Sequence, residues 1–328
     1  MYPTIQSDAI DRAVDTLNEG GLVAIPTETV YGLAADADNE EAVLKIFAVK
    51  GRPTNHPLIV HVADIEAIDA WAKDVPETAY RLARAFWPGP LTLVLPRAER
   101  CGTFVTGGQD SVAIRCPSHP WIRELLTRFA GTTHRGVTAP SANTFGQISP
   151  TCARHVADDL GDKVDFILDG GACDVGVEST IVNLSGEHPE ILRHGAVTRA
   201  MLEAVLQMPV PDAGSNAPRA SGRLKSHYAP NTKLELVSQE RLTARCQELA
   251  DSRLAVMGSH GILPDLGVNV VFRTPSPETP EAYARVLYAR LHELDDIQAD
   301  RILIELPPET PEWAAVNDRL GRAAADKA

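Results

Sequence analysis

The sequence predicts two α/β domains, a large one followed by a small one. Three observations carry that reading. Short apolar runs of strand length alternate with amphipathic helical stretches through most of the chain. The 328 residues correspond to about two domains at roughly 150 residues each. The charge pattern also breaks once. Residues 213–233, AGSNAPRASGRLKSHYAPNTK, hold Arg219, Arg223, Lys225 and Lys233 and no acid, whereas 1–212 has 17 basic and 28 acidic residues and 234–328 has 10 and 16. Rich in Gly, Pro, Ser and Ala, this segment is a linker by composition. A solvated tether is the plain reading, but Lys225, His227 and Tyr228 lie within four residues, so the segment also stands as a candidate site. The expected division is 1–208, a linker over 209–233, and 234–328.

In the large domain, Ser7 as a cap and the spacing of Ile10, Val14 and Leu17 predict a helix over 7–19, stopped by Gly20-Gly21. LVAIP (22–26) reads as a buried strand, and 39–49 as a helix with Val43, Leu44 and Phe47 on one face. A strand over 57–62 is followed by helices over 64–72 and 76–86. Strands are then expected over 91–96, 111–117, 137–142, 166–171, 179–184 and 191–195, and a helix over 198–206. The alternation resumes in the small domain, with strands over 234–237, 254–258, 269–273 and 301–306 and helices over 239–250, 280–293 and 311–325. No internal repeat is present.

Composition limits the functions available. Hydrophobic residues at 44% and charged residues at 23% exclude a disordered or fibrous chain. Aromatics at 5% argue against a stacking platform for single-stranded nucleic acid. A net charge of −13 repels nucleic acid and anionic membranes, so an anionic substrate needs a local basic site. Cys101, Cys116, Cys152, Cys173 and Cys246 form no CxxC pair, which points to reduced thiols rather than a disulfide frame or zinc site. The N-terminus lacks the basic and apolar regions of a signal peptide, and no apolar run nears the roughly 18 residues of a membrane helix. The expected location is therefore cytoplasmic.

No P-loop, GxGxxG, HExxH or GxSxG occurs. What recurs is a strand with a polar tip. Pro26-Thr27-Glu28-Thr29-Val30-Tyr31-Gly32-Leu33 follows a buried strand and reads equally as a cleft edge or a helix-capping turn. Lys50-Gly51-Arg52-Pro53 pairs a point charge with a planar fork, a combination suited to phosphate oxygens; a solvated pair is the bland alternative. His61 lies inside the strand PLIVHV, where most histidines are structural. Arg115, in the strand SVAIRCP, must bridge an internal acid or bind a ligand carboxylate. Pro140-Ser141-Ala142-Asn143, Ser149-Pro150-Thr151, Glu178-Ser179-Thr180 and Arg193-His194-Gly195 mark further strand ends.

Taken in order, PTETVYGL, KGRPxxxPLIVH, WPGPLTLVL, SVAIRCP, APSAN with SPT, ESTIV and ILRHGA resemble the YrdC/YwlC family of L-threonylcarbamoyladenylate synthases. SGRLKSHYAP resembles the segment that joins the YrdC-like domain to a small C-terminal α/β, Rossmann-like domain in the long form of that family. The ordered motifs cover about residues 7–235. The resemblance implies a twisted open sheet with a concave basic face. It also implies condensation of L-threonine, bicarbonate and ATP to threonylcarbamoyl-AMP and pyrophosphate. A partner transferase then modifies adenosine next to the anticodon of tRNAs reading ANN codons.

Carried over residue by residue, the resemblance places Thr29, Tyr31, His61, Arg115 and Ser179 at L-threonine. It places Lys50, Arg52, His56, Ser111, Ala139, Ser141, Ser149, Arg193 and Tyr228 at ATP, with Tyr228 making the linker a lid. His56 stands where the family usually has Asn; an imidazole can also donate to a phosphate or ribose oxygen. No nucleophilic side chain is implied, so catalysis would rest on positioning and charge neutralisation. Mg²⁺ is expected to be bridged by substrate phosphates without a protein cage. Stable tRNA binding is not expected at this net charge, nor is membrane binding. The rival readings are nucleic-acid binding, disfavoured by the net charge, and a carbamoyl-transfer module like that of hydrogenase maturation proteins, disfavoured because no acylphosphatase or zinc-finger-like region is present and the cysteines lack zinc spacing.

Overall fold

The computed structural model describes residues 2–222, 224, 226–259 and 266–325. Among these, the chain forms two compact units: 1–145 with 150–223, and 146–149 with 224–328.

Thirteen strands and eleven α-helices are described. In the first unit the strands are β1 (Val23–Ile25), β2 (Gly32–Asp36), β3 (Ile59–His61), β4 (Leu91–Pro96), β5 (Ser111–Arg115), β6 (Val137–Thr138), β7 (Phe166–Ile167), β8 (Thr180–Asn183) and β9 (Glu190–Arg193). Its helices are α1 (Ser7–Asn18), α2 (Glu40–Lys50), α3 (Ile68–Trp71), α4 (Glu77–Phe86), α5 (Thr103–Thr106), α6 (Pro120–Ala130), α7 (Ala153–Leu160) and α8 (Arg199–Leu206). The second unit has β10 (Leu234–Val237), β11 (Leu254–Gly258), β12 (Val270–Pro275) and β13 (Arg301–Glu305), with α9 (Gln239–Glu248), α10 (Pro280–Asp296) and α11 (Ala314–Ala324).

The first unit is built on one mixed nine-stranded sheet, in the order β7-β1-β2-β6-β3-β5-β4-β8-β9. Its larger core joins buried residues of α2, α4 and α8 (Val43, Ile46, Leu82, Leu202) to Val60, Leu93 and Ile114 of the sheet. Residues one step along those strands face the other way. On that opposite face, Ile10, Leu17, Ile122 and Leu125 of α1 and α6 pack on Val23, Ile25, Ala34 and Val137, covering the half built from β1, β2 and β6. The remaining half, formed by β3, β5, β4, β8 and β9, carries only a small apolar cluster, Ile59, Val94, Ile181 and Leu192. Ala213, Ala217 and Ala220 pack against that cluster. Residues 213–222 therefore lie as a strap on the open half of the face rather than as a solvated tether. Their small side chains let backbone approach the sheet. The second unit holds a parallel sheet in the order β10-β13-β11-β12. Leu242 and Cys246 of α9 are buried against Leu254, Val256 and Leu303 of that sheet.

Several boundaries differ from the sequence reading. Ser7 is the first helical residue and Gln6 the cap. The helix expected over 64–72 is only Ile68–Trp71, and the strand expected over 137–142 is only Val137–Thr138. There, Pro140 lacks an amide donor, and the backbone of Ser141–Asn143 turns its carbonyls elsewhere. β2, α5, α6 and α7 are not among the elements expected from the sequence. Gly-Leu-Ala-Ala-Asp is buried on both faces, so no alternation marks it as a strand.

Candidate active site

The strand register gathers the polar strand tips. Arg193 of β9 is opposite Ile181 of β8, Ile181 is beside Thr92 of β4, Thr92 is opposite Arg115 of β5, and Arg115 is beside His61 of β3. In-register neighbours share a face, so Arg193, Thr92, Arg115 and His61 form one row across the open half of the sheet. Arg115 and Arg193 are 4% and 6% exposed, so each donor calls for a partner in the protein or in a ligand.

Arg115 is met by the Pro26–Leu33 stretch. Its Nη2 donates to Glu28 Oε1 at 2.6 Å and its Nη1 to Thr29 Oγ1 at 2.9 Å. Of the two roles open to Arg115 in the sequence, the internal acid is thus present and is Glu28. The turn holding them is fixed by the Thr27 hydroxyl, which donates to the Val30 carbonyl at 2.6 Å and lies 2.8 Å from the Thr29 hydroxyl. His61 is buried beside Arg115; burial first and that guanidinium second push its pKa down to about 3, so the ring is neutral. Tyr31 is buried, and its hydroxyl donates to the Gly171 carbonyl at 2.8 Å, so it ties the 169–171 turn to β2.

Ser179 links this end of the row to Arg193. Its hydroxyl is 2.7 Å from that of Thr92, and Arg193 donates to it through Nη2 at 3.2 Å and to its carbonyl through Nε at 3.0 Å. The turn after β9 must be glycine. A Cβ on Gly195 would lie 2.4 Å from the Thr180 backbone nitrogen.

Lys50 and Arg52 come from the end of α2, capped by Gly51 in the left-handed conformation at φ 62°. Lys50 Nζ donates to the Ser141 carbonyl at 2.6 Å and also to the Asn143 carbonyl. Burial, and then Arg52, lower its pKa well below that of a free lysine. Arg52 Nη2 donates to the Pro57 carbonyl at 2.9 Å and to Ser221 Oγ at 3.1 Å, while Arg193 Nη1 donates to the Ser221 carbonyl at 3.1 Å. Both arginines thus hold the strap. Phe145, which the sequence reading missed, sits between Arg52, 5.7 Å above its ring, and His56, edge-on at 5.3 Å. Burial, then Arg52 and Arg219, lower the His56 pKa. Ser111 lies on the same face of β5 as Arg115 and, with Ile59, Ala113 and Ser221, lines a small pocket under the strap. Ala139 is buried beside β3, its N–H donating to the Ile59 carbonyl at 3.1 Å.

Two sequence candidates lie in the second unit. The Ser149 carbonyl is 3.3 Å from His292 Nε2. Tyr228, at φ 62° and 1% exposed, has its ring 4.1 Å from that of His227 and 5.5 Å from that of Tyr288, under the Arg319 guanidinium. Arg223 and Lys225 fall outside the described residues. Among the described residues no group of three His, Cys, Asp or Glu side chains could hold a metal ion, and no helix is long and apolar enough to cross a membrane.

Known proteins resemble the chain along its length. The Sua5–YciO–YrdC family model, described as "Telomere recombination", matches residues 15–195. A second, described as "Threonylcarbamoyl-AMP synthase, C-terminal domain", matches 197–325. The chain is 38% identical to a threonylcarbamoyl-AMP synthase of Pyrococcus abyssi over 333 aligned residues, 98% of this chain and 95% of that one. It is also 38% identical to one of Bacillus subtilis, covering 96% and 92%. The solved structure of P. abyssi Sua5 complexed with L-threonine superposes with a TM-score of 0.88 at 37% identity, covering 98% of this chain and 96% of that one.

Proposed function

The chain belongs to the threonylcarbamoyl-AMP synthase family, and from that premise we propose how its own residues condense L-threonine, bicarbonate and ATP. The observation that carries the reading is the buried row Arg193–Thr92–Arg115–His61 with Lys50 and Arg52 beside it. A chain of net charge −13 concentrates its buried cations where two anionic substrates would meet.

In this reading Arg115 binds the threonine carboxylate, with Thr29, Tyr31, His61 and Ser179 forming the pocket. Neutral His61, with Nδ1 3.2 Å from the Ile59 carbonyl, keeps Nε2 as a hydrogen-bond acceptor for threonine. Lys50, Arg52 and Arg193 meet the phosphates, exchanging carbonyl and hydroxyl partners for phosphate oxygens. His56, Ser111, Ala139 and Ser141 line the nucleotide. For Ser149 and Tyr228, in the second unit, the assignment to ATP rests on the family resemblance alone. The amine attacks bicarbonate carbon, water leaves, and a carbamate forms. A carbamate oxygen then attacks the α-phosphorus and pyrophosphate departs. No side chain bonds covalently to the substrates; the residues orient them and offset charge as it moves to the leaving phosphates. The donors at this end are cationic, so Mg²⁺ would be held by phosphates and water, where it would neutralise phosphate charge. The product would pass to a transferase that modifies tRNA, in the cytoplasm, without stable tRNA binding by this chain.

The test is mass spectrometry of the full chain incubated with ATP, Mg²⁺, L-threonine and ¹³C-bicarbonate. The expected product is threonylcarbamoyl-AMP carrying one ¹³C, with pyrophosphate release dependent on threonine. Pyrophosphate release unaffected by omitting threonine or bicarbonate would refute it.

A further inference from the structure

Arg115 carries a double load in this reading, because it holds a buried acid and is also offered to a substrate. A guanidinium has five N–H donors. In Arg115, Nε points to the Gly89 carbonyl at 3.4 Å, one Nη1 donor goes to Thr29 and one Nη2 donor to Glu28. These contacts leave one donor on each terminal nitrogen, the number that a bidentate carboxylate takes.

The acid itself is rigidly placed. Glu28 Oε2 accepts the Ser118 N–H at 3.0 Å, and its backbone carbonyl accepts the Val175 N–H at 2.7 Å. The side chains of Glu28 and Arg115 are 4% and 5% exposed, so little water competes with the pair. A structural ion pair alone would need neither the Thr27–Thr29 hydroxyl relay nor the free donor on each terminal nitrogen. We propose that Glu28 is a positioning residue for the amino-acid substrate: its carboxylate fixes the rotation of the Arg115 fork so that the two remaining N–H groups meet the substrate carboxylate together. This rests on the reading that Arg115 binds threonine.

The experiment compares the full-length wild type with Glu28→Gln, Glu28→Asp, Arg115→Gln and the Glu28→Gln/Arg115→Gln double variant. Pyrophosphate release gives kcat and KM for threonine and ATP separately, well below each melting midpoint. Glu28→Gln keeps the volume but removes the charge that pins the fork. It should raise KM for threonine by about 10–100-fold, the range for losing the partner that orients a binding group, and leave KM for ATP unchanged. Glu28→Asp, which keeps the charge, should move the same constant less and serves in its place if Glu28→Gln does not fold. In the double variant the Glu28 change should add nothing to Arg115→Gln, and the melting midpoint should recover because no lone buried charge remains. If Arg115→Gln raises KM for threonine but the Glu28 variants lower only the melting midpoint, Glu28 is merely structural and the proposal falls. If Arg115→Gln itself leaves KM for threonine unchanged, the underlying reading falls instead.

Discussion

At one end of the polar row, Arg115 shares a buried carboxylate at 2.6 Å. At the other, the partners of Lys50, Arg52 and Arg193 include oxygens of a different kind: the carbonyls of Ser141, Asn143, Pro57 and Ser221 and the hydroxyls of Ser179 and Ser221. The difference is chemical. A carboxylate compensates a guanidinium permanently and fixes its direction, so a second anion can be added but the first is not displaced. Carbonyl and hydroxyl oxygens satisfy donors without cancelling charge, so a phosphate that replaces them gains the full attraction. The first arrangement suits a small ligand read by shape, the second a polyanion that arrives and leaves as pyrophosphate.

Arg115→Ala should show the largest effect. It leaves Glu28 buried without its partner, which costs about 3–5 kcal/mol in stability, and threonine-dependent pyrophosphate release should disappear. Circular dichroism establishes folding and the coupled assay measures the loss; a folded variant with near-normal turnover would erase the distinction between the two ends.

Lys50→Met should show a smaller effect. Burial already disfavours the ammonium, but an apolar chain of similar length leaves the Ser141 and Asn143 carbonyls without their donor, so the melting midpoint should fall less than in Arg115→Ala. Yet KM for ATP should rise by about tenfold or more, the value of a charge-assisted hydrogen bond. A rise in KM for threonine instead of ATP would exchange the two ends.

The smallest effect concerns pH. Burial depresses His61 to about 3 and His119 to about 4, both below the unfolded value. Their stabilising contribution is therefore complete above the unfolded histidine pKa and is lost as pH falls from there toward the folded values. Each should cost about 2 kcal/mol between pH 7 and pH 5. Urea unfolding at both pH values checks this, and His61→Asn should flatten the slope by one histidine's share. An unchanged slope would mean that burial does not hold the His61 ring neutral in the folded protein.

Much of this site was legible in the sequence because its residues sit in short runs at strand ends. PTET, KGR, SVAIR and RHG each show a charged or hydroxyl residue beside apolar strand residues, which marks a tip. The pairing was not legible. Glu28 and Arg115 are 87 residues apart, and no local pattern joins them. Phe145 follows an unremarkable Asn-Thr pair, and only the fold brings it between Arg52 and His56. The strap read as a tether because Ala213, Ala217 and Ala220 look like linker residues, although small side chains are what permit close seating on Ile59 and Val94. Tyr228 carried no sign that its ring would pack on Tyr288.

The claim that one end takes the amino acid and the other the nucleotide is tested most directly by the side-chain ¹⁵N–H signals of Arg115 and Arg193, assigned through Arg→Lys variants. Titration of the full chain with L-threonine should shift the Arg115 signals and leave those of Arg193 nearly still, and ATP with Mg²⁺ should do the reverse. Arg115 signals that move with ATP and ignore threonine would contradict the account.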